Sequence, residues 1–147
     1  QELSSPGDSG GGQAASERYA AAMGQLAAIV CEQARCSHIL EARLIQRPVP
    51  IIDGSYGQWD GVAHRLPIGR TGGGRTRYTG TAPALSVALL GVAASGQVAF
   101  KTIGGVSFPF ELDNLADSAT LRPDLFDTAG EVAEGVEVAL RPVLRKR

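Results

Sequence analysis

The sequence predicts an α+β (α/β) fold: one domain built on a four- to five-stranded, mainly antiparallel or mixed sheet, with two long helices on one face. Three observations carry this. Between Tyr56 and Phe110 the chain alternates apolar runs with turn residues, the pattern of a β-meander. Before and after that stretch, apolar residues recur at helical spacing instead. With 147 residues and 44% hydrophobic content, there is enough material for one modest core.

Residues 1–15 are small, polar and glycine-rich, and burial cannot repay the entropy of ordering such a segment, so a flexible tail is expected there, with the domain spanning 16–147. Ser16 is placed to cap a helix that ends near Ala34, because its oxygen can accept from unpaired N–H groups of the first turn. Tyr19, Met23, Leu26, Ala27 and Val30 form the expected buried stripe. His38 to Gln46 alternates as a strand, with Leu40, Ala42 and Leu44 on the buried face, Glu41 and Arg43 on the other, and Pro48 and Pro50 ending its pairing.

A strand around Gln58 to Pro67 carries Trp59. The Gly69 to Gly80 loop follows, with five glycines and three arginines. Ala84 to Val92 is apolar almost throughout and is expected at the centre of the sheet, with Leu85, Val87 and Leu89 facing the helices and Ala88, Leu90 and Val92 forming an apolar patch opposite. Ser95-Gly96 turns the chain into Gln97 to Ile103, and Val106 to Leu112 adds an edge piece around Pro109. Pro123 suits a helix first turn. Leu125, Ala129, Val132, Ala133, Val136 and Leu140 mark the apolar face of that second helix, and Arg141, Arg145, Lys146 and Arg147 suit its C-terminal dipole.

Charge excludes some partners. The formal net charge of −1, from 14 basic and 15 acidic residues, provides no general field for nucleic acid. No apolar run approaches the roughly 20 residues that cross a bilayer as a helix.

Several patterns imitate catalytic or ligand motifs. Gly7-Asp8-Ser9-Gly10-Gly11 matches the surroundings of a serine-protease nucleophile, but that chemistry needs a rigid oxyanion hole and a buried His and Asp beside the serine, which a flexible tail is not expected to supply. Gly69 to Thr76 imitates a phosphate-binding loop with arginine in place of lysine; it joins two strands, whereas that chemistry needs a helix N-terminus. His64, Ser86 and Asp60 contain the residue types of a hydrolytic triad, yet Ser86 lies mid-strand, without the sharp turn that exposes a nucleophile. No catalytic residue, cofactor or metal is therefore assigned. Cys31 and Cys36, at C-x4-C spacing, leave three states open: a disulfide, two buried thiols, or a metal site with His38. Tyr56, Trp59 and Asp60 are the candidate partner contacts, because aromatics at a strand end can anchor an interface; the competing reading has Trp59 covering the sheet.

The element order, with Trp59-Asp60-Gly61, Ala84-Leu85-Ser86-Val87, Ser95-Gly96 and Gly104-Gly105, resembles the α/β domain of bacterial envelope lipoproteins: the curli-secretion protein CsgG, the amino-terminal domain of TolB, and lipoprotein activators of penicillin-binding proteins. The resemblance spans Ser16 to Leu144. It implies a non-catalytic accessory or assembly role in the envelope, periplasmic or at the outer membrane, with a protein partner or homo-oligomer and a membrane contact only through a lipid anchor. Such domains begin with a strand where this sequence has its glycine-rich segment. A missing strand would leave a sheet edge open for another chain. The alternative is a small-molecule or anion-binding protein, or a hydrolase, using the Gly69 to Gly80 loop.

Overall fold

The computed structural model describes residues 9–69, 78–113, 118–127 and 129–145. Its elements run α1 (Ser9–Ala34), β1 (His38–Ile52), β2 (Tyr56–Trp59), β3 (Val62–Arg65), β4 (Thr81–Ala93), β5 (Val98–Ser107), β6 (Phe110–Asp113), β7 (Ser118–Leu121) and α2 (Ala129–Leu144). The α+β fold is as expected: a five-stranded antiparallel sheet ordered β3-β2-β1-β4-β5, a two-stranded β6-β7 ribbon, and two helices. The chain divides into two compact units. One comprises residues up to Glu41 together with Leu90–Lys101, the other Ala42–Leu89 together with Thr102 onward.

In the first unit α1 begins at Ser9, ahead of the expected cap at Ser16, which lies inside the helix. An alanine-rich run that has already nucleated gains a hydrogen bond with each added residue, and this carries the helix back through glycines that each cost about 1 kcal/mol relative to alanine. Gly7 and Asp8 of the protease-like motif lie outside the described residues, and Ser9 is the first residue of α1. Of the expected stripe Ala27 is buried and Met23 half-buried, whereas Tyr19, Leu26 and Val30 are exposed; the buried line runs instead through Gly24, Ala27 and Cys31. The cause is a close approach of backbones: a Cβ on Gly24 would lie 2.7 Å from the Gly96 carbonyl oxygen in the β4-β5 turn, so the small-residue face of α1 packs there. The helix stops where Arg35 turns left-handed at φ 54°. Cys31 and Cys36 are joined as a disulfide, with Cα atoms 4.4 Å apart.

The second unit holds the larger core, formed by Val49, Trp59, Val62, Leu66, Ala82, Ala84, Phe108 and Leu112. β1 does not end at its prolines but continues to Ile52. Its buried phase is also the reverse of the expected one: Val49 is buried and Ile39, Ile45 and Ile51 half-buried, while Leu40, Ala42 and Leu44 face solvent. A strand has one phase along its length. Here Val49 and Ile51 set it by packing in the core.

The strand expected over Gln58 to Pro67 is a hairpin, β2 and β3, with Trp59 paired to Val62 across Asp60-Gly61. Both turn residues have positive φ, 43° and 82°, the tight-turn geometry that matches strand twist. β4 lies one strand in from the edge, and β1 holds the central position. Ala82, Ala84 and Ser86 are buried, then Val87, Leu89 and Val92, so both faces of β4 are covered and no apolar patch opens at Ala88, Leu90 and Val92. The segment around Pro109 is the first half of the β6-β7 ribbon, separate from the main sheet.

α2 starts at Ala129 rather than at Pro123, because Phe126 takes φ 70° and interrupts any helix begun in the preceding turns. It packs through Gly135 and Ala139 on the Gly104-Gly105 backbone of β5, where a Cβ on Gly104 would collide with the Gly135 carbonyl. Only glycine permits that approach.

Candidate functional site

The Asp60 corner gathers several residues singled out in the sequence. Both Asp60 carboxylate oxygens accept from one Arg47 nitrogen, at 2.8 and 2.9 Å, and Oδ2 also accepts from the Ser86 hydroxyl at 2.6 Å. Trp59 is buried, donates from its indole nitrogen to the Leu85 carbonyl at 3.1 Å, and packs at a tilt against Phe108, 4.8 Å between ring centroids. Asp60 and Ser86, two of the imagined triad, thus meet. The arrangement is still not nucleophilic. Ser86 is 0% exposed and gives its proton to the carboxylate rather than to an imidazole. His64 lies beside Trp59, 5.5 Å between ring centroids, and 3.5 Å from Glu134 without the geometry of a hydrogen bond. The cluster ties the hairpin to β1 and β4.

Of the three candidate partner contacts, the structure presents only Tyr56 to solvent. It is 48% exposed, with the Arg65 guanidinium 5.7 Å from the ring centroid. Trp59 covers the sheet from inside, the competing reading of that residue, and Asp60 is taken up by Arg47 and Ser86. Residues 70–77 of the glycine and arginine loop lie outside the described residues. So does any phosphate reading of them.

A polar cleft of about 350 Å³ is lined by Arg65, Pro67, Ile68, Glu111, Arg122, Asp124 and Glu131. Arg122 dominates it. The guanidinium donates to both Asp124 oxygens at 3.0 and 2.9 Å, to the Ser107 hydroxyl at 2.7 Å, to the Phe108 carbonyl at 3.2 Å and to Glu131 at 3.4 Å. These bonds, above all that from Asp124, raise the guanidinium's affinity for its proton, and the same contact holds the Asp124 carboxyl below its ordinary range. With all three of its nitrogens engaged, Arg122 clasps β5, the β7 end and α2 together. It is a structural group rather than an anion receptor. Arg122-Pro-Asp124 was its visible signal, since a side chain two residues on can reach back.

The remaining candidate is a backbone edge. The Ile51 N–H donates to the Gly80 carbonyl, on the β4 side, at 2.9 Å. Alternate residues aim their N–H and C=O groups at opposite edges, so Ala42, Leu44 and Gln46 aim theirs away from β4. β2 pairs with β1 only at Ile51 and Ile52. Pro48 and Pro50, with no N–H to offer, stop that ladder. Among the described residues no strand pairs with this edge from Ala42 to Gln46, and Leu44 stands 52% exposed beside it.

No protein-family model, curated protein or solved structure matches this chain. No described helix is long and apolar enough to cross a membrane, and among the described residues no group of three or more His, Cys, Asp or Glu side chains could hold a metal ion.

Proposed function

We propose that this chain is a non-catalytic accessory or assembly module of the cell envelope that binds an extended segment of a protein partner along the open edge of β1. The observation that carries this reading is the outer edge of β1 at Ala42, Leu44 and Gln46, whose backbone groups aim away from β4 and with which no described strand pairs. An added strand would satisfy those groups and give Leu44 an apolar neighbour. Main-chain bonds supply affinity in this mode, and side chains alternating along the strand supply specificity. Two further points support it. Ser86 and Asp60 are committed to each other, away from solvent. The Cys31–Cys36 bridge suits an oxidising compartment, as the resemblance to envelope lipoprotein domains implies.

A photo-crosslinking residue in place of Gln46, expressed in the native host, tests the proposal. Adducts to a discrete protein are expected there, and they disappear when Leu44→Pro removes one N–H from the edge. A probe that forms no protein adduct, or adducts indifferent to Leu44→Pro in a chain that still folds, would remove β1 as the binding edge.

A further inference from the structure

The apolar stripe of α2 is not spent on the fold. The helix rests on β5 through Gly135 and Ala139, and Ala129, Val132, Ala133, Val136 and Leu140, expected to face the core, instead line an open groove of about 660 Å³ with Phe126 and Leu144. Leu144 is 64% exposed. Apolar surface left out in this way is costly in water unless something covers it.

We propose that the covering group is the same helix of a second copy of this chain, laid antiparallel across the groove about a two-fold axis near Val138. The sequence of the stripe is symmetric about that point. Setting Val136 against the second copy's Leu140 also sets Val132 against its Leu144, and the reciprocal contacts follow, as an isologous interface requires. The charges agree. Glu137 lines one flank of the groove, and Arg141, one helical turn further on, pairs with it at 3.3 Å within the chain. In an antiparallel pair that flank faces its own copy, which brings each Glu137 beside the second copy's Arg141. Pro142 is not among the residues that line the groove. A pair of 16-residue helices buries less than the standard interface of about 1,600 Å², so an affinity near micromolar is expected.

Sedimentation equilibrium on the intact chain tests this. The protein is expected to dimerise reversibly over loading concentrations from about 1 to 100 μM, and Val136→Glu to remain monomeric throughout with its circular dichroism unchanged. Glu137→Arg and Arg141→Glu each place like charges across the seam and should raise the dissociation constant about tenfold or more. Mixing those two variants should restore association, because each then carries charge of one sign along the flank and they complement each other only between chains. The intrachain Glu137–Arg141 pair is broken in both variants, so restoration on mixing cannot come from it. A chain monomeric across this range would overturn the proposal. So would a folded Val136→Glu that still dimerises, or two charge variants that fail to recover on mixing. Photo-crosslinking at β1 reports separately, since neither Gln46 nor Leu44 lies in the groove.

Discussion

Phe108 is the largest of the fully buried side chains among the described residues, and truncating it tests the core on which the binding edge depends. It is 1% exposed, its ring lies against Trp59, and Gly57 sits so close that a Cβ there would come 2.6 Å from the ring tip. Phe108→Ala withdraws a ring from a site whose walls belong to β1, β2 and β4 and cannot collapse inward together. Lost transfer free energy is about 2 kcal/mol. A residual void of roughly 80 Å³ at about 24 cal/mol per Å³ adds a similar amount. The expected cost is therefore about 4 kcal/mol, a large part of the roughly 5 to 15 kcal/mol that stabilises a domain. Trp59, the only tryptophan, touches the ring and reports the transition by fluorescence. With a urea slope near 2 kcal/mol per molar, the midpoint should fall by about 2 M. Leu121→Ala, on an exposed strand, should stay within about 0.5 kcal/mol as the control. A loss below about 1 kcal/mol for Phe108→Ala, or one no larger than the control's, would refute this picture of the core.

Two further outcomes follow from the packing of α2 and the Arg122 clasp. Gly104→Ala drives a methyl into the Gly135 carbonyl and should cost about 1 to 3 kcal/mol, whereas Gly130→Ala, with nothing within 4 Å, should be neutral or slightly stabilising; equal effects in urea melts would mean that α2 does not rest on β5 at this point. Arg122 lowers the Asp124 carboxyl when folded, so Asp124 contributes stability above its ordinary titration range, and that contribution disappears as pH falls through its lower folded value. Carboxyl NMR should accordingly show Asp124 titrating below an ordinary aspartate, near 3.9, and Arg122→Ala should return it there; an unshifted Asp124 in the parent chain would dissolve the clasp.

The sequence alone determined those features whose cause lies within a few residues. The apolar run of β4, the Ser95-Gly96 turn into β5 and the end of α1 at Ala34 are set by local propensity and turn chemistry, and all stand where expected. The Asp60-Gly61 hairpin is equally local: Asp-Gly is a tight-turn signal, although the apolar pattern over Gln58 to Pro67 suggests one strand. Tertiary structure decided which face of each element is buried. Over His38 to Gln46 the leucine set of β1 is the more apolar, yet Val49 and Ile51, held against Trp59 and Phe108, reverse the phase and turn Leu44 outward beside the open edge. In both helices, periodicity identified an apolar stripe, but glycine against glycine allows backbones to approach more closely than leucine against leucine. Gly24 on Gly96 and Gly135 on Gly105 therefore orient α1 and α2. Periodicity registers side-chain apolarity and is blind to the space a missing side chain leaves. That is why the stripe of Val132, Val136 and Leu140 could be found in the sequence, while its exposure to a partner could be seen only in the folded chain.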